Sequence, residues 1–207
     1  MSLMPGGEDV RPGWDASADA PYDHNPRVKL TYDDFLLFPD DGNQHELIDG
    51  VHFVTSAPYL RHQDILQRLL LFIQVWVKER RTGRVYVAPV DVVLSMFDVV
   101  QPDLLYVSNE RVAILTRPNV QGAPDLVVEV GSPATEERDL TIKRQLYERS
   151  GVTEYWFVDP ETDTIRVYRR ASDRFATPVE LSRENGDVLA TELFPGLDIP
   201  LSVVFED

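Results

Sequence analysis

The sequence predicts a mixed α/β or α+β domain in which a central β-sheet is flanked by helices. The chain has 207 residues, of which 43% are hydrophobic, and this is enough apolar material for one domain with its own core. Residues 60–81 have the periodicity of an amphipathic helix, and short apolar runs typical of strands lie on both sides of them. The predicted order is helix, hairpin, long helix, several strands, helix and further strands, which favours a layered arrangement.

The domain is expected to begin near Val28. Residues 1–27 are rich in Gly, Pro, Ala and Asp, a composition typical of a flexible arm. They also lack the charged-then-apolar pattern of a secretion signal. We therefore divide the chain into an arm, residues 1–27, and a domain, residues 28–207.

The first predicted elements are a short helix and a hairpin. Thr31 precedes the segment YDDF and is a candidate N-cap for the helix. The strand-like segments HELI and VHFVT are separated by Asp49 and Gly50, a dipeptide typical of a tight hairpin turn.

The long helix is the next element, and its apolar residues recur at intervals of three and four. Gly83 follows this pattern and is expected to end the helix. The residues on the apolar face are Ile65, Leu66, Leu69, Leu70, Ile73, Trp76 and Val77.

Several strands follow the long helix. Residues 84–95 predict one or two strands interrupted at Pro89, and DLLYV predicts another. After a short helix and loop over residues 109–122, DLVVEV is almost continuously apolar, which predicts a central strand covered on both faces.

The last part of the chain predicts one more helix and a meander of strands. Thr135 is expected to cap a helix that runs to about Ser150, where Gly151 ends it. The segments EYWFVDP, TIRVYRR and ATPVELS are typical strands separated by Asp-rich turns. Tyr155 and Trp156, in the first of these segments, are expected in the core.

Charge and composition restrict the function classes. The formal net charge is -15, so binding to nucleic acid would need a local basic patch or bridging cations. The chain has no Cys, which excludes disulfides, thiol nucleophiles and Cys-ligated zinc, and fits a cytoplasmic location. No apolar run approaches the roughly 18 residues of a membrane span, so no membrane role is expected. His45 has no third ligand at zinc spacing, and no serine elbow or glycine-rich phosphate loop is present.

Two strand-like runs open on Pro-Asp, and the second contains a glutamate. Alternation along a strand puts Asp103 on one face with Leu105, and Asp125 on one face with Glu129. If the two strands are neighbours, Asp103 and Glu129 converge. Glu129 lies among valines, where a carboxylate is costly unless something pairs with it.

These carboxylates suggest a cation site, with structural alternatives. Two carboxylates, a backbone carbonyl and waters make an octahedral magnesium site, and Val130 is the candidate for the carbonyl. Lys143 is the candidate amine, four residues after Asp139 on one helix face. Asp125 could instead be a turn residue, and Asp139 and Lys143 could be an exposed ion pair of little energetic value.

The motifs ELIDG, HQ, APVDVVLS, VQPDLLYVS, GAPDLVVEVGSPAT and EYWFVDP together resemble the Uma-two family of bacterial endonuclease-like proteins, within the PD-(D/E)XK superfamily. The resemblance covers roughly residues 30–200. It implies a restriction-endonuclease-like fold with a central mixed sheet flanked by helices. It also implies a Mg²⁺- or Mn²⁺-dependent endonuclease that hydrolyses phosphodiester bonds in DNA.

The resemblance assigns expected roles to individual residues. Asp103 matches the Asp of the Pro-Asp motif and Glu129 the acidic residue of the (D/E)XK motif. The lysine of that motif would stand at Gly131, so Lys143 on the following helix is expected to replace it. Glu46 matches an upstream acidic residue that completes the metal site or orients water.

Other expectations remain open at this point. His62 and Asp91 match family positions, each with a possible structural role. A homodimer, common in this fold, is expected from the edge strands and the long helix. The alternative function is a nuclease-fold protein that binds or scaffolds without cutting. A DNA path could use some of the basic residues, although most fit ordinary surface solvation: Arg61, Arg68, Lys78, Arg80, Arg81, Arg84, Arg138, Lys143, Arg144 and Arg149.

Overall fold

The computed structural model describes residues 28–55, 58–133 and 135–206. The arm expected at residues 1–27 therefore lies outside the described residues. Within them, the strands form a seven-stranded sheet, a five-stranded sheet and a two-stranded ribbon. Helices pack against the larger sheet, so the predicted class of a mixed sheet flanked by helices is confirmed.

The described helical segments lie between groups of strands along the chain. The helical segments are α1 (Tyr32–Phe35), α2 (Leu60–Arg80), a 3-10 turn (Asn109–Ile114), α3 (Glu136–Arg138), a π-helical turn (Asp139–Lys143), α4 (Arg144–Ser150) and α5 (Leu201–Val204). The strands are β1 (Gln44–Ile48), β2 (Val51–Thr55), β3 (Gly83–Val87), β4 (Val92–Ser95), β5 (Asp98–Val100), β6 (Leu104–Ser108), β7 (Val120–Gln121), β8 (Leu126–Val130), β9 (Glu154–Asp159), β10 (Thr164–Ala171), β11 (Arg174–Phe175), β12 (Val179–Ser182), β13 (Val188–Leu189) and β14 (Ile199–Pro200).

The seven-stranded sheet has β8 near its centre. The strand order is β11-β10-β9-β8-β6-β3, and β12 also pairs with β10. β8 is antiparallel to β6 and parallel to β9, so the sheet is mixed. All residues of β8 are buried, which confirms the prediction of a central strand covered on both faces.

The two faces of this sheet support different parts of the core. Side chains such as Leu104 and Val128 face α2, where Leu69 and Ile73 are fully buried. Their strand neighbours face the α4 side, because successive side chains alternate between faces. This second cluster includes Leu105, Val127, Phe157, Leu146 and Tyr147.

The five-stranded sheet is built on the predicted hairpin. Its order is β2-β1-β5-β4-β7. Asp49 and Gly50 both have positive φ, 52° and 75°, which is the backbone of a tight turn whose twist suits a hairpin. β5 was not predicted as a separate strand; it pairs with both β1 and β4.

Two helix ends differ from the prediction, whereas two others agree with it. α2 ends at Arg80, the next residue Arg81 takes the left-handed conformation (φ 55°), and Gly83 already belongs to β3. Thr135 precedes α3 but makes no side-chain cap hydrogen bond. Thr31 does cap α1 through a capping box with Asp34, and Gly151 ends α4 at φ 91°. No helix in the described part of the chain is long and apolar enough to cross a membrane.

Candidate active site

Two carboxylates meet where β6 begins and β8 ends. Leu104 pairs with Val128 in this antiparallel register, so the next positions outward are Asp103 and Glu129. Residues directly opposite each other have side chains on the same face. Asp103 Oδ2 also accepts a hydrogen bond from the Val130 amide at 2.8 Å, which holds the carboxylate against the end of β8.

The amine of Lys143 lies between two glutamates. Lys143 Nζ is 2.9 Å from Glu129 Oε1 and 2.8 Å from Glu46 Oε1, and the lysine is only 3% exposed. Asp139 Oδ1 lies farther away, at 3.8 Å. The alternative of an exposed Asp139–Lys143 ion pair is therefore wrong, because both side chains are buried by packing against the sheet.

A widened helical turn carries Asp139 and Lys143. They are the first and last residues of the π-helical turn between α3 and α4. The hydroxyl of Tyr155 donates to the Asp139 carbonyl at 3.2 Å, so the sheet satisfies a backbone acceptor of this turn. Single π-turns of this kind are rare and occur often at functional sites.

Glu46 joins the site from the other sheet. It lies on β1, and its Oε1 also accepts the Gln101 amide at 3.0 Å. Its Oε2 is buried without a hydrogen bond, with Arg138 Nη2 at 3.7 Å. The motif HELIDG thus contributes a side chain that contacts Lys143, and the two sheets share one polar cluster.

Two further residues contact the acidic pair. Tyr147 donates its hydroxyl to Glu129 Oε1 at 2.5 Å. The sequence analysis missed this residue, although it follows Lys143 by four residues and so shares its helix face. His62 Nε2 donates to Asp103 Oδ2 at 3.1 Å, while its buried Nδ1 has no partner. The role of His62 was open in the sequence, and the structure gives it a contact with the site.

Part of this polar cluster lines a cavity of about 360 Å³, called here the central cavity. Its wall includes both β-strand carboxylates, the end of β8 and three cations, whereas Glu46 and Tyr147 are not among its lining residues. The members of the cluster in this wall are Asp103, Glu129, Val130, Asp139 and Lys143, with His62, Arg61 and Arg138 beside them. The cavity therefore adjoins buried charged groups.

Burial dominates the electrostatics of the cluster. It raises the pKa of Glu129 well above the usual value, an effect that Lys143 opposes and the other carboxylates reinforce. The pKa of Asp139 is raised for the same reason. Burial acts to lower the pKa of Lys143, but the charges of Glu129, Glu46 and Asp139 outweigh it and raise the pKa. Lys143 is therefore a cation at any physiological pH.

The donor set fits a small divalent cation that keeps most of its water. The described residues contain no group of three or more His, Asp or Glu side chains placed to hold a metal. Mg²⁺, however, commonly uses one or two carboxylates and several waters, so Asp103 and Glu129 are sufficient. Among the described residues, the carboxylates of Glu46, Glu129 and Asp139 lie within 4 Å of Lys143 or Arg138. The fourth carboxylate of the cluster, Asp103, contacts His62. Full ionisation leaves an acidic excess that a divalent cation would balance.

The carbonyl of Val130 is compatible with this site. The N–H and C=O of one strand residue point to the same side of the strand. Since the Val130 N–H is directed at Asp103, its carbonyl points to that side as well. Val130 also lines the central cavity.

Other candidate residues lie elsewhere. Asp125 accepts the Ser108 amide at 2.7 Å and lies 3.4 Å from Arg111, which supports the structural interpretation left open for it. Asp91 is held by Gln101 at the wall of a neighbouring cavity. Among the basic candidates, Arg61 and Arg138 line the central cavity with Lys143. Arg144 and Arg149 pair with Glu148 and Asp98.

Comparisons with known proteins agree with this description. The family model described as "Uma2: Putative restriction endonuclease" matches residues 32–202. No curated protein matches the chain. Among solved structures, a similar one is described as a "putative nuclease belonging to DUF820" from Anabaena variabilis ATCC 29413. It is 21% identical, with 85% of this chain and 97% of that chain covered and a TM-score of 0.73. At this identity the likeness shows the fold.

Proposed function

The chain belongs to the family described as "Uma2: Putative restriction endonuclease", and we propose that it hydrolyses phosphodiester bonds in DNA with Mg²⁺ or Mn²⁺. The observation that carries this proposal is the Lys143 amine, which contacts Glu129 and Glu46 and lies at the wall of the central cavity with Asp103. We interpret this arrangement as a PD-(D/E)XK site whose lysine comes from a helix instead of the strand.

Each side chain has a separate task in this proposal. Asp103, Glu129 and the Val130 carbonyl would hold the metal ion, which when bound neutralises phosphate charge and lowers the pKa of water. Lys143 stabilises negative charge that develops on the phosphoryl oxygens, since it remains protonated. Glu46 positions the Lys143 amine, and Tyr147 fixes the Glu129 carboxylate through its hydroxyl.

Cations at the wall of the central cavity support phosphate binding. Arg138 and Arg61 lie there with Lys143, although the chain as a whole carries a net charge of -15. A local cluster of cations can bind phosphate where the overall field repels it, with divalent ions assisting. DNA binding is therefore expected to be weak and to depend strongly on Mg²⁺.

Calorimetry combined with a nicking assay tests the proposal. Mg²⁺ or Mn²⁺ is titrated into the wild type, Glu129→Gln and Glu129→Ala, and each protein is then incubated with supercoiled plasmid. We expect the wild type to bind metal and nick the plasmid, and both variants to lose both properties. Asp198→Asn, a change at an exposed carboxylate away from the cavity, serves as the matched control and should behave as the wild type.

The two negative outcomes have different meanings. Metal binding by a folded wild type without nicking would contradict the endonuclease and favour the alternative, a nuclease-fold protein that binds or scaffolds. Retained DNA affinity in Glu129→Ala, measured by fluorescence anisotropy, would be the signature of that alternative. Absence of metal binding would show that the carboxylates are structural.

We also propose that the protein forms a homodimer through α2. Leu71 and Val75 are exposed on this helix, at 65% and 47%. Asp64 and Lys78 lie seven residues, about two turns, on either side of Leu71. An antiparallel pair of α2 helices related by a two-fold axis at Leu71 would therefore place each Asp64 against the partner copy's lysine, and this charge complementarity favours a second copy as the occupant.

A further inference from the structure

A second and larger cavity adjoins the central one. It has a volume of about 590 Å³, and we call it the acidic side cavity. It is bounded by α1 and the loop after it on one side and by the segment between β3 and β6 on the other. The residues shared by the two cavities are Gln44, Thr55, Pro58 and Asp103. A ligand in the central cavity can therefore extend into the acidic side cavity past Asp103.

The two cavities differ in their cations. The described lining of the central cavity combines Arg61, Arg138 and Lys143 with four Asp and Glu side chains. The described residues that line the acidic side cavity include no Lys or Arg, whereas Asp40, Asp91 and Asp103 are among them. Among the described lining residues, the Lys and Arg side chains that can pair with a phosphate therefore lie in the central cavity.

One corner of the acidic side cavity presents hydrogen-bond acceptors. Gln101 Nε2 donates to Asp91 Oδ1 at 2.7 Å. This bond fixes the orientation of the Gln101 amide, whose Oε1 is buried and has no hydrogen bond to any described residue. A buried acceptor without a donor is costly, so this corner is suited to a ligand that brings N–H groups.

Part of the wall is apolar and aromatic, beside polar side chains such as Gln63. Phe35 and Phe38 contribute on one side, and Leu66 and Val87 on another. A flat, neutral ring packs well between such groups, because base–aromatic stacking tolerates any heterocycle. The cavity thus combines a stacking surface with carboxylate and amide oxygens.

We propose that the acidic side cavity binds an unpaired nucleobase with an exocyclic amino group, on the strand whose phosphate lies in the central cavity. Aspartate accepts from the amino group of cytosine, and glutamine recognises adenine. Thymine and uracil have no such group. This inference rests on the proposed function and deepens it, because it specifies a substrate that is single-stranded or locally unpaired, as base recognition within a pocket requires.

Binding measurements test the inference separately from cleavage. Fluorescently labelled homopolymers of dC, dA and dT, 12 nucleotides long, are titrated with full-length protein in Ca²⁺, a cation that also takes carboxylate oxygens. We expect dC and dA to bind about tenfold more tightly than dT, as one good side-chain–base pair provides. Asp91→Asn should abolish this preference, and Asp198→Asn should keep it. Gln101→Ala provides a second test if Asp91→Asn does not fold.

The outcomes distinguish this inference from the nuclease proposal. A preference for dC and dA that Asp91→Asn removes supports the base site, even if the wild type does not nick DNA. Nicking with equal binding of all three homopolymers would overturn the base site and leave the nuclease proposal standing. Absence of binding to every homopolymer by folded protein would overturn it as well. A ribonucleotide series measured in parallel decides whether the base belongs to DNA or RNA, and a C or A preference in either series supports the inference.

Discussion

Lys143 is the residue on which the polar cluster depends. Its amine lies within 3 Å of Glu129 and Glu46 and 3.8 Å from Asp139. Among the described residues, the other cation near these carboxylates is Arg138, 3.7 Å from Glu46. A buried ion pair is weak evidence for a stabilising role, because well-packed apolar groups of similar volume often stabilise at least as well, whereas removal of one partner leaves a buried charge without compensation.

Removal of Lys143 should destabilise the fold in the absence of metal. In Lys143→Met, Glu129 and Glu46 lose their counter-charge, and we expect a loss of about 3–5 kcal/mol in the free energy of unfolding. The double variant Lys143→Met/Glu129→Gln should recover part of this loss. Urea denaturation in EDTA measures both effects, with a change at an exposed cation, Arg117→Met, as the control. A stability of Lys143→Met equal to that of the wild type would contradict the interpretation.

Glu154 should make the stability of the protein depend on pH. Burial raises its pKa, although Thr191, Trp156 and Arg169 contact its carboxylate and oppose the shift. The folded protein therefore keeps the proton to a higher pH than the unfolded chain. The associated stability is complete below the unfolded pKa of about 4.5 and is lost as the pH rises through the folded pKa.

The variant Glu154→Gln cannot lose this proton. We expect wild-type stability, relative to that of Glu154→Gln, to decrease when the pH is raised from about 4 to 7. Urea denaturation at both pH values measures the difference. An unchanged difference between the two proteins would mean that the folded-state pKa of Glu154 is not raised.

At the scale of elements, the parallel pair β8–β9 restricts the position two residues after Glu129. Glu129 lies opposite Phe157 in this pair. A Cβ atom added at Gly131 would approach Phe157 Cζ to 2.6 Å, much closer than carbon atoms normally pack. Any larger residue at position 131 therefore requires the buried Phe157 ring to move, and the amine that contacts Glu129 comes instead from the helical turn that ends at Lys143.

Gly131→Ala should be destabilising for the same reason. Overpacking of this kind costs about 1–3 kcal/mol, measured as a shift in the urea midpoint. Phe157→Leu removes the ring edge. Gly131→Ala should therefore lower the free energy of unfolding less in the Phe157→Leu background than in the wild type, each loss being measured against its own parent protein. Equal costs in both backgrounds would indicate that the ring is not the obstacle.

The ends of α2 show the limits of sequence signals for individual elements. Gly83 is a typical helix terminator, but the structure uses it in β3, where an added Cβ would lie 2.3 Å from the Val107 carbonyl oxygen. Arg81 takes the left-handed position instead. The close approach of β3 to β6 overrode the local preference of glycine for a helix end. A local sequence pattern carries no information about such contacts between strands.

At the scale of the whole molecule, the exposed stripe of α2 predicts the oligomeric state. We expect size-exclusion chromatography with light scattering to give a dimer for the wild type. Leu71→Asp should give a monomer, because two carboxylates would meet at the two-fold axis. Leu37→Asp, at another exposed leucine (83% exposed), is the matched control and should remain dimeric. A monomeric wild type at micromolar concentration would reject this interface.

Much of the fold could be predicted because its signals are local. Helical periodicity identified α2, alternating and continuous apolar runs identified β6 and β8, and Asp49-Gly50 identified the hairpin. The features that the sequence analysis missed are ones that a local pattern does not reveal. β5 is only three residues long, and Tyr147 looks like any core aromatic until its hydroxyl is seen against Glu129.

The sequence by itself determined which residues share a strand face, and hence that Asp103 and Glu129 could converge, because alternation along a strand is a property of the backbone. Only the tertiary structure decided that β6 and β8 are neighbours, that Glu46 reaches Lys143 from the other sheet, and that two cavities meet at Asp103, one with Lys and Arg in its described lining and one without. These facts depend on strand order and on packing between sheets. Such contacts join residues far apart in the chain, and no local pattern specifies which of the possible pairings buries the most apolar surface.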